Sequence, residues 1–319
     1  MITEDNKISR YSYSALSQFE NCPYAYYQKY IQKQRPEENT IALSIGTILH
    51  KARELCSLAL MEGQTPDYTM IRDITMNGWA GVDKANSKKE EVIPGMEEIK
   101  ALYWEDWMKE EPDIPSYQRR LETFFEHLED DEKDILKWRP IAAEKPFTVA
   151  YQGAELFGVI DKIEENKEGQ IRIVDLKSSK KPYDESKLKS PLQLYIYHLA
   201  VQDMFPDREI ISHRYDFIML GEQREAGTRG WLKRCDAKLT KLLESIRQAN
   251  ATNLWEPKPS PLCYWCPYCR GNPTSKPDSN SLCRYYSLWT PQKKTFETNE
   301  PWIKGTKADE EKIEIPFSF

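Results

Sequence analysis

Two apolar runs dominate the middle of the chain, Leu156-Phe157-Gly158-Val159-Ile160-Asp161 and Ile171-Arg172-Ile173-Val174-Asp175-Leu176-Lys177, each interrupted by a carboxylate. The stretch between them, Glu164 to Gln170, is polar and carries Gly169, so the pattern predicts a β-hairpin. Side chains alternate along a strand, which puts Ile173, Asp175 and Lys177 on one face and Val174 and Leu176 on the other. Both faces are largely apolar, as in a strand covered on both sides. Folding the hairpin brings Asp161 near Asp175.

The periodicity elsewhere is mixed. Ile48, Ala52, Leu55 and Ala59 recur at helical spacing, widened by Leu49, Cys56 and Leu60, and His50 falls off that stripe. Upstream, Ser14 can cap a helix, and Pro23 can open a second helix with Tyr24, Tyr27 and Ile31 on one face. Residues 61–140 are acidic and mostly helical in pattern, with Trp79, Tyr103, Trp104, Trp107 and Trp138 scattered through them. Core packing explains most of these aromatics; base stacking over an active site is the alternative. Ala142 to Tyr151 returns to strand character. Ser190-Pro191 marks a helix start, after which Gln193 and Tyr197 share a face at i and i+4. Ile210 to Leu220 reads as a strand and Trp231 to Ala249 as a helix. The alternation predicts an α/β fold, a mixed sheet flanked by helices.

Composition narrows the class. At 39% hydrophobic and 30% charged residues over 319 positions, the chain can bury a substantial core. It lacks an apolar run long enough to span a membrane and does not open on a secretory signal, so a cytoplasmic location is expected. A net charge of −6 does not advertise nucleic-acid binding, but binding depends on local patches. Lys177, Lys180, Lys181, Lys187 and Lys189 form one directly after the hairpin, where a solvated face is the plainer explanation.

Candidate chemistry follows from cost. Asp is depleted in strands, and an unpaired buried carboxylate is expensive, so two at one end of a hairpin call for a cation. A hard divalent ion such as Mg²⁺ or Mn²⁺ takes carboxylate oxygens and keeps waters, one of which can attack a phosphodiester. Lys177 is placed to orient that water or steady charge on the phosphate. A solvated hairpin with surface ion pairs would use the same residues, and His50 could equally be exposed and idle. Seven cysteines in an intracellular chain suggest metal ligation rather than disulfides. Cys263-Tyr264-Trp265-Cys266-Pro267-Tyr268-Cys269 contains two Cys-x-x-Cys steps sharing Cys266, and Cys283 follows. Thiolates so spaced bind zinc or an iron–sulfur cluster. Cys56 and Cys235 read as packing residues.

Asp161 followed by Asp175-Leu176-Lys177 resembles the PD-(D/E)XK nuclease core. Gly46-Thr47-Ile48-Leu49-His50 resembles the histidine motif of the RecB-type branch, Gln193-x-x-x-Tyr197 its Gln-x-x-x-Tyr motif, and Ser12 to Tyr30 with Cys22-Pro23 its N-terminal entry. The order matches across most of the chain. The resemblance implies a restriction-endonuclease-like fold in which His50, Asp161, Asp175 and the backbone carbonyl of Leu176 hold Mg²⁺ or Mn²⁺. Catalysis would involve Asp161, Asp175 and Lys177, with Gln193 and Tyr197 on the substrate. A neutral imidazole beside carboxylates suits Mn²⁺ better than Mg²⁺ alone.

Relatives with a cluster, including the CRISPR-associated RecB-like exonucleases, take one cysteine from the N-terminal helix and three from near the C-terminus. That implies a [4Fe-4S] cluster on Cys22, Cys263, Cys266 and Cys283, with Cys269 the other candidate for the fourth ligand and zinc the alternative occupant. The expected layout is 1–60 N-terminal helices, 61–140 a helical insert, 141–250 the nuclease core, 251–290 the cysteine region and 291–319 a polar tail. The implied function is a metal-dependent DNA exonuclease acting on single-stranded ends in recombination, repair or phage DNA processing. A helicase, recombination or single-strand-binding partner would fit it. The acidic residues before Ile315-Pro316-Phe317 look like the partner-recruiting tip of bacterial single-strand-binding proteins, although Lys312 and Ser318-Phe319 depart from it. The rival reading is a non-cleaving iron–sulfur subunit that clamps DNA ends.

Overall fold

The computed structural model describes residues 9–34, 41–82, 90–102, 114–258, 260–264, 266–268, 283, 288–290 and 295–297. The chain divides into two compact units, Met1–Tyr13 with Asn39–Thr240, and Ser14–Glu38 with Lys241–Phe319. Among the described residues no helix is long and apolar enough to cross a membrane.

The first unit is built on a mixed six-stranded sheet. Its longest pair is β4 (Arg139–Tyr151) with β5 (Ala154–Glu165), antiparallel and in register from Tyr151↔Ala154 outward. Gln152 and Gly153 join them, both at positive φ (47° and 76°), the two-residue turn whose twist matches that of the strands. β6 (Ile171–Lys177) returns antiparallel to the far end of β5, Glu165↔Ile171 to Lys162↔Val174. Asn166 shapes that connection: its Oδ1 accepts from the amides of Glu168 and Gln170.

The near end of the same β5 edge belongs to β1 (Ser9–Ser12), which runs parallel to it from Ala154 to Phe157. Gly158 to Asp161 therefore lie between two partners on that edge, where β5 and β6 diverge. Parallel strand β7 (Ile210–Phe217) extends the sheet beyond β6, and β8 (Glu222–Glu225) closes it.

Helix α3 (Ile41–Met61) buries Ile41, Ile45, Ile48, Leu49, Ala52 and Cys56 in a core shared with Val174 and Leu176 of the sheet. Arg53, one turn past His50, fixes its rotation. The guanidinium is 3% exposed and bonds Asp131 at 3.2 Å and Asp216 on β7 at 3.1 Å. Lys162 of β5 joins the network through Asp131 (2.8 Å) and Glu164 (3.0 Å). The predicted helix after Ser190-Pro191 forms over Leu192–Met204, with Pro191 rather than Ser190 at its cap position; we call it α9. It crosses from β6 to β7 and packs on β4, β6 and β7.

Residues 61–140 carry the predicted helices, among them Tyr68–Asn77 and Ile114–Glu126, but also an antiparallel hairpin of Trp79–Val82 with Glu90–Ile93. Four-residue strands with polar neighbours leave little alternation to read. Trp79 lies under the ammonium of Lys51 at 4.4 Å, and Trp138 under the guanidinium of Arg172 at 4.4 Å, so both serve packing. Tyr103, Trp104 and Trp107 fall outside the described residues.

In the second unit, α1 (Tyr13–Asn21) starts one residue before the predicted cap Ser14. Cys22 occupies the cap position of α2 (Pro23–Tyr26), with Pro23 first in the helix, and a π-helical turn continues to Ile31. Trp255 stacks on Tyr26 and Tyr27, with ring centroids 5.8 and 5.3 Å away.

Candidate metal centre and cysteine cluster

The gap on the β5 edge holds the candidate centre. Asp161 is the last residue before β5 and β6 pair, and its Oδ2 accepts the Leu176 amide at 2.7 Å, bridging the strands as they part. Across β5, the pairs Ala143↔Lys162 and Lys145↔Ile160 place Glu144 opposite Asp161. Glu144 has φ +43°, a left-handed conformation costly for a residue with a Cβ and most often retained where function needs it. From α3, His50 Nδ1 lies 3.7 Å from Glu144 and 3.8 Å from Asp161. Donor atoms of His50, Glu144 and Asp161 all fall within 4.8 Å of one another, an arrangement that could hold a metal ion.

Sequence reasoning missed Glu144, because Glu-Lys in a strand reads as a solvent face. A usable signal existed: counting back from the Gln152-Gly153 turn, Tyr151 pairs Ala154, and the same register leads from Asp161 to position 144.

Asp175 is fully buried and paired with Lys177. Lys177 Nζ also donates to Gln193 Oε1 at 3.2 Å, and Gln193 Nε2 donates to the Tyr197 hydroxyl at 2.9 Å. Sequence placed Gln193 and Tyr197 on one helical face; here they form a hydrogen-bonded chain that ends on Lys177. Tyr197 is anchored in turn by the edge of Phe147, ring centroids 5.9 Å apart. Leu176 meets the centre through its amide, donated to Asp161.

Electrostatics mark the group as short of positive charge. Burial pushes the Asp175 carboxyl up to about 6, with Lys177 pulling against it and Asp161 adding to it. Burial raises Asp161 as well, against His50 and Lys177. Burial alone would lower His50, but the carboxylates of Glu144 and Asp161 outweigh it and the imidazole is raised. Burial opposes charge on Lys177 too, yet Asp175 and Asp161 hold its ammonium firmly protonated. Asp175 Oδ1 and Glu144 Oε1 are buried without a hydrogen-bond partner. Buried polar atoms rarely stay so unless something else meets them. A hard cation with oxygen and imidazole donors fits this set.

In the second unit, Cys22, Cys266 and Cys283 gather with Tyr24, around Ala25 and Tyr268. The Lys258 amide points at Cys22 Sγ and the Ser260 amide at Cys263 Sγ, each at 3.4 Å. The Cys283 amide donates to the Tyr268 carbonyl at 2.9 Å, tying the downstream cysteine to the Cys-x-x-Cys segment. Cys269 and the 284–287 segment lie outside the described residues. Cys56 and Cys235 are fully buried, as expected of packing residues, and burial pushes their thiols up to about 12 and about 11.

Three comparisons bear on identity. No curated protein matches the chain. Among solved structures, the chain is similar to one from Eubacterium rectale named "Putative exonuclease", at 12% identity and TM-score 0.39, over 80% of this chain and 86% of that one. That likeness is too loose to bear on chemistry. The model of the PD-(D/E)XK nuclease superfamily matches residues 10–270, more than half of the chain. With an acidic pair at the parting of two strands, a lysine one pleat on and a mixed sheet between helices, the chain belongs to the PD-(D/E)XK nuclease superfamily.

Proposed function

We propose that the protein is a metal-dependent DNA exonuclease of the RecB-like branch, acting from single-stranded ends. The observation that carries the hydrolytic reading is the cation-deficient group of His50, Glu144 and Asp161, half-buried, with the fully buried Asp175 next to Asp161 and paired to Lys177. His50, Glu144, Asp161 and Asp175, with the Leu176 carbonyl, would hold Mg²⁺ or Mn²⁺. The ion would supply an acidified water and neutralise charge on a phosphodiester.

The chain's own contribution is positional. Lys177 carries a proton that its buried neighbours hold in place, and its ammonium offers a donor to a phosphate oxygen or a water. Gln193 accepts from Lys177 and so fixes where that ammonium points, while Tyr197 fixes Gln193. Glu144 and Asp161 keep His50 turned inward. The exposed lysines at 180, 181, 187 and 189 lie just past this centre in sequence, where a strand's phosphates would need charge.

In the second unit, Cys22, Cys263, Cys266 and Cys283 would carry a [4Fe-4S] cluster. Three of the four share one packed group, and backbone amides point at the sulfurs of Cys22 and Cys263, as around bound thiolates. Its role is structural, joining a segment near the start of the chain to one near residue 283. A helicase, recombination or single-strand-binding partner, and a place in recombination or repair, accord with an enzyme that consumes ends.

The test is digestion of end-labelled single-stranded DNA with Mn²⁺, run beside Lys177→Ala. Degradation by the parent and at least ~100-fold less by the variant is expected. DNA bound but uncut by the parent would favour a non-cleaving end-binding protein. For the cluster, protein purified without oxygen should be brown and Cys22→Ser colourless; a colourless parent containing zinc would refute the iron–sulfur assignment.

A further inference from the structure

A cavity of about 710 Å³ opens directly beside the metal centre, with His50, Glu144 and Lys177 in its wall. That volume lies within the roughly 300–1,000 Å³ typical of pockets for small organic groups. Its floor is apolar: Ile41, Ile45, Ile93, Leu176 and Met219 all face it. These are core residues, each 8% exposed or less, so the apolar side of the cavity is backed by the core, while Leu43, Thr47 and Lys180 at its mouth are exposed.

One edge is polar. Lys51 and Glu54 line it as an ion pair at 2.5 Å, the Glu54 side chain only 3% exposed, with Glu91 3.9 Å from the same ammonium. Ser178 lies across from Gly46, where a Cβ would come within 3.2 Å of Ser178 Oγ, so glycine keeps that corner open.

Thr47, Arg120 and Ser179 add further donors and acceptors to the lining, and an apolar floor beside such groups is the complement of a nucleobase. A base has two apolar faces and a polar rim, and it gains by leaving water only where both are matched. The wall shared with the metal centre says which molecule supplies it. On the nuclease reading, a group seated here would belong to the strand whose phosphate is held at the adjoining metal centre.

The geometry points to this cavity as a base-binding subsite that takes one unpaired, unstacked nucleobase next to the scissile phosphate. The inference rests on the nuclease reading above and deepens it. A base still paired has its polar rim occupied by its partner and cannot offer it to Lys51 and Glu54, so the subsite itself selects frayed or single-stranded ends. Lys51 and Glu54 meet the rim of the base; they position substrate and do not touch the reacting atoms.

The test is an abasic scan. Single-stranded oligonucleotides carrying one abasic residue, moved position by position about the phosphate that is cut, are digested by the full chain with Mn²⁺. KM is expected to rise about tenfold or more for one abasic position adjacent to the cut, and little for the others. Ala42→Trp fills the cavity mouth from an exposed position on α3. It should raise KM on intact DNA by a similar factor and erase the difference between intact and abasic substrates. Equal cutting of all abasic positions, or an unchanged abasic effect in Ala42→Trp, would overturn the subsite while leaving the nuclease standing. No cutting of any oligonucleotide would sink both.

Discussion

The helix carrying Gln193 and Tyr197 is tied to the sheet by two histidines, and acid should loosen the tie. His198 of α9 and His213 of β7 share a hydrogen bond between Nδ1 and Nε2 at 3.0 Å, and Trp231 sets its ring edge-on to both. His213 is 7% exposed. Burial, followed by the neighbouring His198, lowers it from 6.5 to about 3. Since its folded value lies below its unfolded one, the unfolded chain binds the extra proton. The stability is present in full above about pH 6.5 and is lost as pH falls towards 3.

Within that window one such group changes stability by about 1.4 kcal/mol per pH unit, so going from pH 7.5 to 5 removes about 2 kcal/mol. Asp175, raised to about 6, acts with the opposite sign over part of the same range, because it takes up its proton more readily when folded. The wild-type profile alone therefore conceals the effect. The measurement is urea unfolding at several pH values for wild type and His213→Gln, both in EDTA. The difference between them should shift by about 2 kcal/mol from pH 7.5 to 5. Parallel profiles would show that His213 takes up its proton as readily in the folded as in the unfolded chain and would refute the reasoning.

Other outcomes follow from the same geometry. Glu144→Gly relieves a left-handed residue and should stabilise the metal-free protein by about 1 kcal/mol while weakening Mn²⁺ binding at least about tenfold by calorimetry. Loss of both stability and affinity would mean that the φ of +43° is not strained. Arg53→Met leaves Asp216 without its ion pair and Asp131 with Lys162 alone, and should cost about 3–5 kcal/mol in urea unfolding. Gln193→Leu removes one of the two partners that orient the Lys177 ammonium and should lower kcat with little change in KM; a change confined to KM would place Gln193 on substrate alone.

The legible part of this protein was whatever depends on local pattern. Apolar alternation around Asp161 and Asp175 defined the hairpin, and the i, i+4 spacing of Gln193 and Tyr197 put both on one helical face, which the hydrogen bond between them bears out. His50 was separable from the core because it leaves the apolar stripe of its helix, and it is half-buried at the centre. The hairpin of Trp79–Val82 with Glu90–Ile93 was not legible, since strands this short show too few alternations to outweigh the helical signal around them.

Other features belong to the tertiary structure alone. Glu144 enters the centre through the register of β4 on β5, and its left-handed backbone turns it there; neither property is a property of its neighbours in sequence. The Arg53 network joins residues from 53 to 216, and its charges tolerate burial only because each meets an opposite one. The cavity beside His50 exists because α3, the end of β6 and the Trp79–Ile93 hairpin meet without filling the space between them. Sequence determined which carboxylates, imidazole and thiols were available and on what element each would sit, because period and spacing act over a few residues. Which of them share a site was decided by strand register and helix packing, which couple residues a hundred or more positions apart.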